Sequence, residues 1–363
     1  MGTNAKKINS RDDCQRGTSF KDKTLSEKSL TSLVWITWEK QRRSISLARE
    51  LGARYFEMDY DIHPLKRYTK SIFRTLITIF NYRKSIVIVQ NPSMILALLA
   101  TITTRILMTK LVIDRHTDHY ILEQGDGLIY RIFLAASRFT IKYADLTIVT
   151  NSELSEKVSL QGGQPFVLPD PLPQVSQFVD NPQAHAITKE IVKSRKIVVF
   201  IVAAWAWDEP MAAYFETARH LPEYEFYVSG RPTKQLQYLF DNKPDNLHST
   251  GFISDETFYT LMSIAKVVIA VTKSEATLVC AGYESLVMKK PFVTGSSRVL
   301  KKFFGRAAEN SDGSAESIAN CIKNIMNNYL NYQDYVEEVE AEKRKQWPIL
   351  LQSLCHSLIT IRQ

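Results

Sequence analysis

Cysteine is scarce: Cys14, Cys280, Cys321 and Cys355 are the only four in 363 residues, widely separated and without a C-x-x-C pair. Such spacing implies neither a disulfide framework nor a thiolate zinc site, and a reducing cytosol is the simplest compartment for it. Long apolar runs are missing as well. The best candidate, residues 94–108, contains Arg105 and falls short of the roughly 20 residues that cross a bilayer, so it reads as a helix covering a sheet. Residues 1–29 lack the apolar core of a signal peptide and are expected to form a disordered polar leader. His116 and His119 lie close to Asp114 and Asp118, but there is neither a helical H-E-x-x-H nor a distant third ligand, and no metal is expected.

What remains is an ordinary globular composition with 45% apolar residues, long enough for two domains of roughly 100 to 200 residues each. The net charge of +8 suggests an anionic partner: nucleotide phosphates, a membrane surface or nucleic acid. Apolar segments of strand length at 33–38, 54–58, 85–89, 111–114 and 146–149 alternate with helical patterns at 44–51, 65–82, 94–108 and 128–143. That alternation predicts βαβ units and a parallel sheet. Residues 165–173 hold four prolines and read as a boundary and hinge, since proline ends both ladders and helices. Beyond them the plan restarts, with strands at 197–202, 225–228, 247–252 and 266–272 and helices at 209–220, 255–264 and 314–329. A long helical pattern, 332–361, closes the chain, interrupted at Trp347-Pro348. The pattern thus predicts an α/β protein of two doubly wound domains.

One β-loop-α-β unit, 266–293, organises the second half. Thr272 to Cys280 lies at the carboxyl end of a strand, where loops and helix N-termini offer N–H groups to phosphates. Ala281 and Gly282 are small enough for close backbone approach to a ligand, and Glu284 can accept from a ribose hydroxyl pair. The stretch resembles the donor-site motif of the retaining GT-B glycosyltransferases of the bacterial "group 1" type, E-x7-E followed by A-x-x-x-G-x-P-V. Glu284 to Val293 matches the second half, with Lys289 or Lys290 where glycine is usual. In the first half the spacing is one residue longer, so Glu275 takes part only if the loop absorbs a residue.

The resemblance implies two Rossmann-like domains, an acceptor domain over 30–172 and a nucleotide-sugar domain over 173–345, with 346–363 as a helix crossing back onto the first. It implies transfer of a sugar from a nucleoside-diphosphate donor to a glycan or lipid-linked acceptor, with retained configuration and no metal or cofactor, in surface polysaccharide or glycoconjugate synthesis. Nucleic acid is not an expected partner. A non-catalytic subunit of this fold and a UDP-sugar epimerase are the alternatives.

In the family a histidine after the fourth strand contacts the transferred sugar. His116 falls closest to it and is the catalytic candidate, with His119 a lesser choice near the acceptor. Asp208, Glu209, Ser274 and Thr277 are expected to frame the donor. The usual arginine and lysine of the diphosphate site are absent from the loop after residue 204, leaving Arg231 with Lys234 or Lys273 as substitutes. The first loop lacks the family's paired glycines, and Arg42 and Arg43 at its helix start suit a phosphate or a phosphorylated acceptor. Lys66, Arg67, Lys70 and Arg74 on one amphipathic helix suit an anionic membrane. Asp59-Tyr60-Asp61 spells the metal-binding D-x-D of another glycosyltransferase class, but at the end of the second strand it reads as coincidence.

Overall fold

The computed structural model describes residues 33–91, 93–116, 127–175 and 196–363. They divide into two compact units, one running to Pro171 and resuming with Ile349–Gln363, the other Leu172–Pro348. Each unit is built on a six-stranded parallel sheet.

In the first unit the elements run β1 (Leu33–Thr37), α1 (Arg42–Glu50), β2 (Arg54–Glu57), α2 (Pro64–Asn81), β3 (Ile86–Asn91), α3 (Met94–Ile106), β4 (Leu111–Arg115), α4 (Leu128–Tyr143), β5 (Leu146–Val149), α5 (Ser152–Leu160) and β6 (Pro165–Val167). The sheet order is β2-β1-β3-β4-β5-β6. Strands β1, β3, β4 and β5 are buried along their whole length, as a sheet covered on both faces demands, and so read as continuous apolar runs rather than alternations. Strand β6 corrects the sequence reading. Pro165–Val167, expected within a hinge, pairs with β5 at the sheet edge, a place where a first-residue proline removes no needed donor.

The second unit comprises β7 (Ile197–Ile201), α6 (Met211–His220), β8 (Tyr224–Ser229), β9 (Leu247–Gly251), α7 (Asp255–Ile264), β10 (Val267–Ala270), α8 (Cys280–Val287), β11 (Phe292–Gly295), α9 (Arg298–Phe304), β12 (Ala308–Ser311), α10 (Ala315–Asn327) and the start of α11 (Tyr329–Thr360). Its sheet order is β12-β11-β10-β7-β8-β9. Alternate residues of β7 and β10 divide between two cores. Val199, Ile201, Val267 and Ile269 face one, while Phe200 and Val268 face the other. The polar sequence of β12 concealed it from pattern reading. Helix α11 runs unbroken through Pro348, where an interruption was expected. The residue is exposed, so the carbonyl deprived of its donor can be met by water.

Gly282 has a different use from the one its size suggested. A Cβ there would sit 2.2 Å from the Phe304 ring, so glycine is required for packing α8 on α9. At the other end of α8, Lys289 has φ +56°. Its N–H donates to Leu286 O at 3.2 Å and that of Lys290 to Ser285 O at 2.9 Å, the paired bonds of a Schellman cap. This is the position where the resembling motif carries glycine. Lysine holds it with its Nζ 2.9 Å from Glu340 of α11.

The first unit is tied internally by one buried cation. Arg43 of α1 donates from Nε and Nη2 to Asp114 at the end of β4, at 2.9–3.1 Å. Nη1 donates to Asp170 at 2.5 Å and Nη2 also to Leu168 O at 3.0 Å. A helix, a central strand and the segment after β6 are thereby joined at one guanidinium. Burial by itself would push the Asp114 carboxyl up, but the charge of Arg43, with His116 beside it, pulls it down to about 2.

Two predictions follow from these contacts. In urea unfolding, Lys289→Gly is expected to be more stable than Lys289→Ala by about 1 kcal/mol, because both lose the ion pair and only glycine relieves the left-handed backbone; the reverse order would refute the strain. Asp114→Asn should lose about 3–5 kcal/mol at pH 7 by leaving Arg43 short of charge in the interior. Because the folded carboxyl titrates below its ordinary value of about 4, its contribution is full above that pH and is lost as pH falls through about 2. The Asn variant should therefore show a flatter acid limb than the parent in stability measured from pH 5 down to pH 2.

Candidate functional site

In doubly wound sheets, ligands collect at the carboxyl ends of strands where the winding direction reverses. The second unit reverses between β7 and β10, and the loops leaving those two strands are fastened together. Thr272 Oγ1 donates to the Asp208 carboxylate, and Lys273 N donates to Asp208 O at 2.9 Å. Tyr214 of α6 pins the start of the second loop, its hydroxyl accepting from Val271 N at 2.8 Å. Ser274 and Thr277 join hydroxyls at 2.7 Å, and Ser274 N donates to Thr272 Oγ1 at 3.1 Å. Asp208, Ser274 and Thr277 thus meet where β7 and β10 end.

Glu209 acts on its own loop. Its carboxylate accepts from Ala204 N at 3.0 Å and Ala206 N at 2.9 Å, across Trp205, whose φ is +61°. Burial raises its pKa against these N–H donors. The Trp205 ring is buried, with Nε1 donating to Ser229 O at 2.8 Å. Gly230 must be glycine here: a Cβ would stand 2.5 Å from Ala203 O. By contrast Trp207, two residues along, is 87% exposed. An indole left in water at a switch point is a signal that the sequence reading passed over, although it lay within the quoted loop.

Of the remaining donor candidates, Glu284 is 8% exposed in α8 and accepts from the Tyr259 hydroxyl of α7 at 3.2 Å. Glu275 is exposed on the loop after β10. Arg231 is exposed after β8, 5.2 Å above the Phe252 ring, and Lys234 is exposed in the following 3-10 turn. Lys273, also exposed, is the cation on the loop of the switch point itself.

The first unit reverses between β1 and β3. Arg43, expected at an external phosphate, is turned inward to Asp114 and Asp170, while Arg42 is exposed. His116 follows β4 with Nδ1 3.5 Å from Asp114 Oδ2, at the limit of hydrogen-bond reach. Next to it, three buried side-chain nitrogens make no hydrogen bond among the described residues: Asn91 Nδ2, Arg115 Nε and His116 Nδ1. Asn91 and Arg115 are partners in the β3–β4 register. Orphaned buried donors are rare; Arg115 turns its other guanidinium nitrogens toward α4, to Ser137 Oγ at 3.0 Å and Thr140 Oγ1 at 2.9 Å, whereas His116 stands beside Asp114. His119 lies outside the described residues.

Lys66 and Lys70 are exposed on α2, with Lys70 Nζ 4.0 Å from the Tyr60 ring centroid. Arg67 stands 3.8 Å from Asp59, and Arg74 is half-buried. Asp59 thus faces a cation. Among the described residues no three His, Cys, Asp or Glu side chains group as metal ligands do.

No protein-family model and no curated protein matches the chain. Solved structures do resemble it. Anabaena HepE in complex with UDP aligns with a TM-score of 0.69 at 11% identity, over 90% of this chain and 99% of that one. A glycosyltransferase from Rickettsia africae aligns with a TM-score of 0.61 at 12% identity, over 90% and 89% of the two chains. A putative UDP-N-acetylglucosamine 2-epimerase from Listeria monocytogenes gives 0.53 at 11% identity, over 85% and 82%. At such identities the likeness is one of fold, and the fold of this chain is that of the GT-B glycosyltransferases.

Proposed function

We propose that the chain is a glycosyltransferase that takes a sugar from a UDP-sugar and passes it, with retained configuration and without a metal, to a hydroxyl of a glycan or lipid-linked acceptor in surface polysaccharide or glycoconjugate synthesis. The observation that carries this reading is the β7–β10 crevice of the second unit. Its two loops are locked to each other, its rim carries the exposed Trp207, and Lys273 supplies positive charge. Exposed indole offers a stacking surface for a base or sugar, and a cation beside loop N–H groups favours a diphosphate. UDP-bound HepE shows that a chain of this fold takes that nucleotide.

In the transfer, the bond from the anomeric carbon to the diphosphate breaks and the acceptor oxygen bonds to that carbon. The acceptor proton leaves with the diphosphate. Lys273 and Arg231 would stabilise the charge that develops on the leaving group. Glu284 would accept from the ribose, held in orientation by Tyr259. His116 would donate to a hydroxyl of the transferred sugar.

Calorimetric titration with UDP tests the donor half. Trp207→Ala should weaken UDP binding by about tenfold, the loss of one stacking contact. Glu284→Gln, which keeps an acceptor for Tyr259, should weaken it by roughly ten- to a hundredfold, as the loss of hydrogen bonds to a charged group does. No UDP binding by the folded parent would overturn the assignment. The transfer half is read by incubating labelled UDP-sugars with a membrane-lipid extract. His116→Ala is expected to lower turnover about 100-fold with UDP affinity unchanged. Release of an altered UDP-sugar without transfer would instead make the protein an epimerase, and UDP binding with neither product a non-catalytic subunit.

A further inference from the structure

Helices α2, α3 and α4 of the first unit turn hydroxyl-bearing side chains inward beside apolar ones and leave further large apolar side chains exposed. Helix α2 turns Ser71, Thr75, Thr78 and Ile79 inward and leaves Phe73 64% and Phe80 55% exposed. Helix α3 buries Met94, Leu96, Ala97, Ala100, Thr101 and Thr104 while Ile102 and Ile106 face water. Helix α4 buries Ser137, Thr140 and Ile141 and exposes Leu128, Ile129 and Ile132. The inward hydroxyls are provided for. Thr78, Thr101 and Thr104 donate to the carbonyl one turn earlier. Ser71 donates to Met58 O, and Thr75 accepts from Trp38 Nε1. The buried faces are therefore complete, and the outward apolar side chains are not misplaced core.

Since α2 packs on α3 and α3 on α4, those side chains belong to one layer rather than being scattered singly, which would need no explanation. The charge of the layer has one sign. None of the three helices contains Asp or Glu. Cations are supplied by Lys66, Arg67, Lys70 and Arg74 of α2, and by Arg131, Arg138 and Lys142 of α4.

We propose that the α2–α3–α4 face of the first unit is a docking surface for an anionic phospholipid bilayer, entered by its phenylalanine, isoleucine and leucine side chains. The sequence placed membrane contact on the charges of α2 alone; the structure adds two neighbouring helices and an apolar component. Rings and aliphatic chains gain by leaving water for the boundary of the acyl region, and the flanking cations meet lipid phosphates. An apolar or acidic protein partner would answer only one of the two features. Among the described residues no helix is long and apolar enough to cross a membrane, so the face lies on the bilayer. The proposal stands apart from sugar transfer, because it invokes neither crevice.

The test is co-sedimentation of the full chain, without donor or acceptor, with phosphatidylcholine vesicles lacking or containing phosphatidylglycerol. Binding is expected to the anionic vesicles, falling with added salt. Lys66→Glu and Lys70→Glu should each weaken it by about fivefold or more. Phe73→Ser combined with Phe80→Ser should abolish the binding that persists at high salt. All four positions are exposed, and an unchanged melting temperature will show that the variants fold. A Phe73→Trp variant should be quenched by brominated acyl chains. Absence of vesicle binding, indifference to the charge and phenylalanine variants, or an unquenched indole would overturn the proposal. So would a parent that fails to bind vesicles and sediments as a dimer dissociated by Phe73→Ser, which would identify the occupant as a second copy.

Discussion

A guanidinium removed from water must find both charge and geometry, and Arg43 finds them in three separate parts of the first unit. Its two-pronged contact with Asp114 fixes the first helix against a central strand, and Asp170 with Leu168 O draws in the segment that follows the last strand. Each group would be costly to bury alone. Together they hold the carboxyl ends of the strands in one arrangement. His116 stands next to this network, its Nδ1 3.5 Å from the carboxylate that Arg43 holds.

The second unit reaches a comparable rigidity by other means. Backbone groups and short side chains replace the buried ion pair: Asp208 clasps Thr272 and Lys273, Tyr214 clasps Val271, and Glu209 gathers two N–H groups of its own loop. An internal carboxylate thus takes N–H groups in the loop where the family usually brings basic side chains to the diphosphate. Lys273 and Arg231 are exposed cations on neighbouring loops. This gives a physical meaning to the missing clamp noted from the sequence. The loop between β7 and α6 is stabilised from within, by the Glu209 carboxylate.

Much of the architecture was legible because burial on both faces of a parallel sheet leaves an unmistakable trace of short apolar runs separated by helical periods. Nearly every strand of that kind was found, including β1, β3, β4, β7 and β10. The two that escaped, β6 and β12, are an edge strand beginning with proline and a polar edge strand of sequence Ala-Glu-Asn-Ser. At an edge one side of the ladder is open, so composition is weakly constrained. Of the site, the loops around Asp208 and Ser274 were legible from their place after strands. Gly282 was misread because glycine answers close approach of any kind, and here the approach is by the Phe304 ring.

The sequence by itself determined the α/β class, the two-fold repeat of a doubly wound plan and the segments from which a site would be drawn, since these depend on local period and on which residues flee water. Tertiary structure alone decided what each polar side chain faces. Arg43 could have met a solvent anion or a buried carboxylate, and Glu284 could have stood in water; only packing distances bring Asp114 to the one and Tyr259 to the other. The same holds for helices α2, α3 and α4. Each carries hydroxylic and apolar side chains, and only packing shows that Thr75, Thr101 and Thr140 turn inward while Phe73, Ile102 and Ile132 stay exposed.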